Sequence, residues 1–184
     1  MGLKEDYTRE IVSIVNLASE SATGWVHVLQ GLKERGVQKM ELVVSDGLTG
    51  IANAINKVFG SAAHQKWIVH LQRNLKAYVR KEDRLELAED VREILSPDKE
   101  NYILEQALTK VEWPYNKWNV KYSQLGKYII KIQWQEYFTF LNYDVRIRRM
   151  IYTTNWIERL NKSARRTLKV RGAFLNDKSV LALI

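Results

Sequence analysis

The chain has no cysteine and only two prolines among its 184 residues. The absence of cysteine excludes disulfides, thiolate metal sites and cysteine nucleophiles, so a bound metal must be held by oxygen or histidine. No apolar run is long enough to span a bilayer, and the N-terminal Met-Gly-Leu-Lys-Glu-Asp lacks the apolar centre of a secretion signal. We therefore expect a cytoplasmic protein that does not enter a membrane.

Acidic residues are outnumbered, with 21 aspartates and glutamates against 29 lysines and arginines and a net charge of +8. This excess favours a polyanionic partner, because neutralising the phosphates of a nucleic acid releases its condensed counterions. The alternative is a solvated basic surface without such a partner. The hydrophobic fraction of 46% is typical of a folded globular chain and argues against disorder.

Short apolar runs alternate with helical patterns over the first seventy residues. The runs at 9–18, 40–45 and 65–71 are of strand type, and amphipathic stretches with helical spacing separate them. This alternation predicts a mixed α/β sheet.

From about residue 75 to residue 149 the pattern is helical only, and we expect Pro114 to end one of these helices. The many aromatic residues of this block are interpreted as its core, the alternative being stacking platforms for unpaired bases. The block is therefore predicted to be an insertion that packs against the sheet.

Two acidic residues stand in settings that suit metal-dependent catalysis. Asp46 follows the second apolar run and precedes Gly47, at the carboxyl end of a predicted strand, where ligands bind in α/β sheets. Glu158 lies on a predicted helix crowded with cations, and such a helix can bind a phosphate backbone while the carboxylate holds a divalent ion. The alternatives are a simple turn in which Asp46 caps the next helix, and a surface ion pair of Glu158 with Arg165 or Lys162.

His70 is predicted to lie at the end of the third short strand. A single histidine in such a place is more often structural than a ligand or a base. Because no second histidine stands at the helical spacing of a zinc site, a zinc hydrolase is poorly supported.

These segments together resemble the transposases of the Mutator superfamily, in particular the bacterial insertion-sequence branch with an Asp-Asp-Glu active site. The most specific segment is Tyr-Thr-Thr-Asn-x-Ile-Glu-x-Leu-Asn. The order in which this and the other segments follow one another strengthens the resemblance. The segments that carry the resemblance are, in chain order, VSDGL at 44–48, IVHLQRN at 68–74, RRMIYTTNWIERLN at 148–161 and RGAF at 171–174.

The resemblance implies an α/β fold, namely an incomplete ribonuclease H-like core with a large all-helical insertion. Residues 1–74 would form the first part of the core, beginning near its third strand. Residues 75–149 would form the insertion, and 150–184 the last part of the core with the glutamate-bearing helix. The implied function is DNA transposition, by Mg²⁺-dependent cleavage and strand transfer on transposon ends and target DNA in the bacterial nucleoid.

The resemblance also assigns roles to residues. Asp46 matches the second catalytic acid and Glu158 the third, and both would bind Mg²⁺. His70 matches the signature histidine between these acids. The cations expected to bind DNA are Arg73, Lys76, Arg159, Lys162, Arg165 and Arg166.

The sequence departs from the family pattern in two places. Trp67 stands where the family usually has Cys or Asp, three residues before the signature histidine. The family's first aspartate lies on the first strand of the core, and Asp6, in a charged lead-in, is a poor substitute for it. We therefore expect the isolated chain to be inactive on DNA and to self-associate through exposed strand edges. The alternatives are a non-catalytic DNA-binding remnant that inhibits the full-length transposase, and a basic scaffold that binds proteins.

Overall fold

The computed structural model describes residues 2–15, 21–96, 98, 101–152, 159, 160, 162, 163 and 166. The strands within these residues are β1 (Gly2–Leu3), β2 (Arg9–Glu10), β3 (Leu42–Ser45) and β4 (Ala63–Lys66). The α-helices are α1 (Ala22–Glu34), α2 (Ile51–Val58), α3 (Ile68–Ala77), α4 (Arg84–Ile94), α5 (Leu104–Lys121), α6 (Ser123–Ile129) and α7 (Val145–Tyr152). Short 3-10 helices lie at Lys81–Asp83, Trp134–Tyr137 and Thr139–Asn142.

The chain divides into two compact units. The first contains Met1–Lys39, Thr49–Gly60 and Thr153–Ile184, and the second contains Met40–Leu48 and Ser61–Tyr152. Among the described residues, no helix is both long and apolar enough to cross a membrane.

An antiparallel hairpin of β1 and β2 lies in the first unit. In its turn the Asp6 carboxylate accepts hydrogen bonds from the hydroxyl of Thr8 at 2.6 Å and from its amide at 2.8 Å, and these bonds lower the pKa of Asp6. The predicted strand at 9–18 is much shorter in the structure, since only Arg9–Glu10 pairs and residues 11–15 have no regular structure. A strand persists only where its backbone groups find partners.

Two helices of the first unit, α1 and α2, pack against each other. The Ser21 hydroxyl caps α1 by accepting from the Gly24 amide at 3.1 Å, and Gly36, with φ +102°, follows its end. Gly50 precedes α2 with φ +81°, and a Cβ there would lie 2.6 Å from the Cβ of Ala22. Glycine therefore permits the close approach of the two helix starts. The side chains buried in this pair are Leu29, Leu32, Ile51, Ala54, Ile55 and Phe59.

In the second unit, β3 and β4 form a parallel pair, with Leu42 opposite Ala63 and Ser45 opposite Lys66. The chain between them passes through α2, as parallel strands require a long crossover.

The outer edge of β4 is covered by the two 3-10 helices that precede α7. Gln65 is fully buried there, and its Nε2 donates to the carbonyls of Lys66 at 2.8 Å and Tyr137 at 2.9 Å. Its Oε1 accepts from the amide of Phe140 at 2.9 Å. One amide side chain thus satisfies three backbone groups and fixes this segment along the strand.

The described residues between 75 and 149 contain helices and turns only, as the spacing predicts. The aromatic side chains Trp118, Trp134, Phe138 and Phe140 are buried in one apolar core with residues of α3 to α7. The interpretation of these aromatics as core is therefore confirmed, although Trp113 stays half exposed.

Pro114 lies inside α5 and is buried, so the prediction that it ends a helix is wrong. Proline cannot donate to the carbonyl of Lys110, four residues earlier, which weakens the helix at that point. The helix continues because Trp118, one turn further on, packs in the core at 2% exposure. Tertiary packing here outweighs local propensity.

Candidate active-site edge and basic surface

The carboxyl ends of β3 and β4 meet at one edge of the small sheet. Ser45 is paired with Lys66, and the Trp67 amide donates to the Ser45 carbonyl at 2.7 Å. Because the ladder continues to this point, Asp46 and Trp67 leave their strands side by side. Ligands of open α/β sheets bind at such carboxyl edges.

Asp46 is exposed at this edge, and its carboxylate forms no hydrogen bond or ion pair within the described part of the chain. The next residue, Gly47, has φ +79°, which glycine adopts without strain. The helix that follows, α2, begins at Ile51 behind Gly50, so Asp46 does not cap it. The capping alternative is wrong, and the carboxylate faces solvent at the strand end.

His70 lies in the first turn of α3, so the prediction that it ends a strand is wrong. Only Trp67 separates β4 from this helix. Ile68, Leu71 and Leu75 are buried on one side of α3 at helical spacing. A short apolar run does not by itself distinguish a strand from a buried helix. Here the buried residues recur every three to four positions, which is the spacing of a helix.

Trp67, His70 and Arg73 form a stack at the Asp46 edge. The ring centroids of Trp67 and His70 are 4.7 Å apart with an interplanar angle of 28°, and the guanidinium carbon of Arg73 lies 5.9 Å from the centroid of the Trp67 ring. This geometry combines ring stacking with a cation–π contact. Trp67 therefore packs on the histidine three residues further along the chain.

Behind the edge, His64 of β4 faces Ser45 of β3. Its Nε2 lies 2.9 Å from the Ser45 hydroxyl oxygen, in a hydrogen bond whose donor depends on the tautomer. Burial lowers the pKa of His64, while Glu136 opposes this shift and Lys66 adds to it. The neutral imidazole is therefore favoured beneath the edge.

Lys66 connects the edge to the helical block. Its ammonium forms an ion pair with Glu136 and lies 6.0 Å from the centroid of the Tyr137 ring. Burial raises the pKa of Tyr137 to about 12, and the neighbouring Tyr128 and Glu136 add to this shift.

Helix α6 is held to the C-terminal part of α3 and the residues after it by contacts of Tyr122 and Tyr128. The Arg80 amide, just after α3, donates to the Tyr122 hydroxyl at 3.4 Å, and Tyr122 immediately precedes α6. At the other end, the Asn74 side chain donates to the Tyr128 hydroxyl at 3.4 Å. The rings of Tyr78 and Tyr128 stack with centroids 4.9 Å apart.

This pairing brings in cations that the sequence reasoning missed. Arg73 is exposed and Lys76 half-buried on α3, where both were predicted to bind DNA. Lys127 of α6 and Lys131 just after it are also exposed. The sequence feature that could have identified these two lysines is the segment 122–135, which contains both of them and no aspartate or glutamate.

Glu158 and Arg165 lie outside the described residues, so the predicted pairing of Asp46 with Glu158 stays a prediction. Within the described ranges, no three or more histidine, aspartate or glutamate side chains gather in a metal-binding group. Three predicted DNA-binding cations of the Glu158 segment are helical and exposed, namely Arg159, Lys162 and Arg166.

An aspartate at the carboxyl edge of parallel strands, beside a helix rich in cations, is suited to a phosphate-bearing ligand. The whole chain, residues 1–184, matches the family described as transposase, Mutator family. The chain therefore belongs to the Mutator family of transposases, which confirms the family that its motifs predict.

Curated relatives of the chain are transposases of insertion sequence elements. The transposase for IS1201 of Lactobacillus helveticus is 29% identical over 180 residues, which cover 98% of this chain and 47% of the relative. The transposase for ISRM3 of Rhizobium meliloti (strain 1021) is 34% identical over 97% of this chain and 44% of the relative. The transposase for IS256 in transposon Tn4001 of Staphylococcus aureus is 30% identical over 100% and 46%. The chain thus spans about half the length of the curated relatives it matches.

Proposed function

We propose that this chain supplies part of the catalytic domain of a Mg²⁺-dependent transposase, with Asp46 and Glu158 as two of its three catalytic carboxylates. The observation that carries the proposal is the exposed Asp46 at the carboxyl edge of β3 and β4, beside the stacked His70. Family membership over the whole chain supports it. The parallel pair and the helical block that follows it also fit a ribonuclease H-like core with a helical insertion.

The ligand chemistry of Asp46 fits magnesium. Its carboxylate offers the hard oxygen atoms that Mg²⁺ prefers, and Gly47 leaves space beside it. Glu158 would supply the second carboxylate. When bound, magnesium would stabilise the charge that develops on the phosphodiester and lower the pKa of the attacking hydroxyl.

The remaining residues of the edge would bind and orient DNA. Arg73 and Lys76 would contact phosphates, which fix the register of a protein on DNA. The Trp67 ring, which stacks on His70, would hold that imidazole in one orientation toward the scissile strand.

We propose further that these 184 residues alone do not cleave DNA. The two carboxylates need a third, and Asp6 does not offer it, because Thr8 engages its carboxylate in the hairpin turn. We therefore expect no cleavage or strand transfer on DNA that carries the terminal repeats. Metal-dependent activity that is abolished by Glu158→Gln would contradict this expectation.

The metal site can be tested by titrating the chain with Mn²⁺, a paramagnetic substitute for Mg²⁺, and following free ion by electron paramagnetic resonance. We expect Asp46→Asn and Glu158→Gln each to weaken binding by at least about tenfold, because each removes a negative oxygen ligand. Asp144→Asn is the matched control, since Asp144 is exposed and engaged by Arg146. Equal affinity in wild type, Asp46→Asn and the control would overturn the assignment of Asp46.

A further inference from the structure

We propose that α6 forms a second basic wall beside α3, and that the two helices together bind the phosphate backbone of duplex DNA leading to the Asp46 edge. The proposal rests on the proposed function, which it extends from α3, where Arg73 and Lys76 are already predicted to bind DNA, to α6, which carries none of the family segments. The α3–α6 surface is defined by residues 67–81 and 122–135.

All lysine, arginine, aspartate and glutamate positions of the α3–α6 surface are occupied by lysine or arginine. Its two segments contain no aspartate or glutamate. Their six cations are Arg73, Lys76, Arg80, Lys81, Lys127 and Lys131. Within the described residues, four of these, Lys76, Lys81, Lys127 and Lys131, have no carboxylate at ion-pairing distance. Their charges are therefore available to an anionic ligand.

The tyrosine contacts bring the two groups of cations together. Stacking of Tyr78 on Tyr128 and the bond from Asn74 hold Tyr128, the chain neighbour of Lys127, against the C-terminal part of α3. At the other end of α3, Trp67 follows β4 directly and stacks with His70 and Arg73. The α3–α6 surface is thus continuous with the strand ends.

The aromatic side chains favour a duplex over a single strand. Proteins that bind single strands present open aromatic faces on which bases stack. Here Tyr78 and Tyr128 stack on each other, and the large aromatics of the block are mostly buried in its core. The exposed charged groups of this surface are all cations, which contact phosphates without reading or unstacking bases.

The test is the salt dependence of DNA binding, measured by fluorescence anisotropy with a labelled duplex of about 30 base pairs in KCl from about 50 to 200 mM. The variant Lys127→Gln with Lys131→Gln removes the α6 cations. The matched control is Lys110→Gln with Arg146→Gln, which also removes two positive charges. In the structure Lys110 is paired with Glu93, and Arg146 is paired with Asp144.

We expect the log–log slope of affinity against salt to become shallower by about 1.8 in the α6 variant, at about 0.9 for each phosphate that the variant no longer neutralises. Over the fourfold salt range, wild type would then lose about 12-fold more affinity than this variant. The control should keep the wild-type slope.

Three outcomes would overturn the proposal about α6. In each of them, binding of duplex DNA by wild type would still support the proposed function. These are an unchanged slope in the α6 variant, an equal change in the control, and a change confined to single-stranded DNA. If wild type binds no DNA at any salt concentration, the proposed function itself fails.

Discussion

The α3–α6 surface and the neighbouring face of α4 and α5 belong to the same helical block but use lysine differently. On the α4–α5 face, Asp90 is 8% exposed and accepts from the Lys117 ammonium at 2.7 Å and the Trp118 indole at 2.8 Å. Asp83 likewise engages Lys121 at 2.8 Å. The lysines of the α3–α6 surface have no such partners among the described residues.

This difference shows that positive charge alone does not mark a ligand site. Lys117 and Lys121 neutralise carboxylates that are nearly buried and that would be costly to leave unpaired, so these lysines serve the fold. The lysines of the α3–α6 surface gain nothing comparable from the residues that the structure describes. An anionic partner is the simplest source of attraction for them.

The largest effect is expected from Asp90→Ala, which removes the centre of the α4–α5 contacts. The buried Trp118 indole N–H would lose its acceptor and Lys117 would lose one of its two carboxylate partners, so the free energy of unfolding should fall by about 3 kcal/mol. Urea unfolding followed by tryptophan fluorescence measures this. Glu86→Ala removes only the exposed partner of Lys117 and should cost less than about 1 kcal/mol. Equal losses in the two variants would show that burial of Asp90 is not the cause.

An intermediate effect, and one that depends on pH, is expected from Asp83→Asn. Hydrogen bonds from Lys121 and then from the Tyr122 hydroxyl lower the pKa of the Asp83 carboxyl. The stabilisation is therefore complete above the unfolded-state pKa of about 3.9 and is lost as pH falls through the lower folded-state pKa.

Wild type should thus be more stable than Asp83→Asn at pH 7, and the difference should shrink below about pH 4, where the wild-type carboxyl also becomes neutral. Thermal unfolding at a series of pH values follows this difference. A difference that stays constant down to the lowest pH would contradict the assigned cause.

The smallest effect is expected from Lys117→Gln, and it concerns DNA. Because Asp90 and Glu86 already neutralise this lysine, its loss should leave the salt slope of duplex binding unchanged. Lys127→Gln removes one charge from the α3–α6 surface and should make the slope shallower by about 0.9. A shallower slope in both single variants would remove the distinction between paired and unpaired cations.

The parts of the fold that the sequence predicts well are those whose ends carry local chemistry. Ser21 and Gly36 lie at the two ends of α1, where a capping hydroxyl and a left-handed glycine act within one turn. The sequence pattern misleads at the run 65–71 and at Pro114, because distant packing decides the conformation there. Buried leucines draw the first into a helix, and Trp118 holds α5 together beyond the second.

The candidate site is predictable to a similar extent. Asp46 can be placed because a strand, an aspartate and a glycine follow one another in the chain. Stacking of Trp67 on His70 is not predictable in this way, because it depends on a helix beginning at residue 68. The contribution of α6 to the basic surface is not predictable either, because it depends on the contact between Tyr78 and Tyr128, which are fifty positions apart in the sequence.

The buried Gln65 amide determines the direction in which the small sheet can be extended. The carbonyls of His64 and Lys66 point away from β3, and they accept from the Thr139 hydroxyl at 2.9 Å and the Gln65 amide at 2.8 Å. Side chains here occupy positions that the backbone of a neighbouring strand would need. A further strand, from this protein or from a second copy, therefore cannot pair with this edge of β4, where the helical block occupies the backbone acceptors.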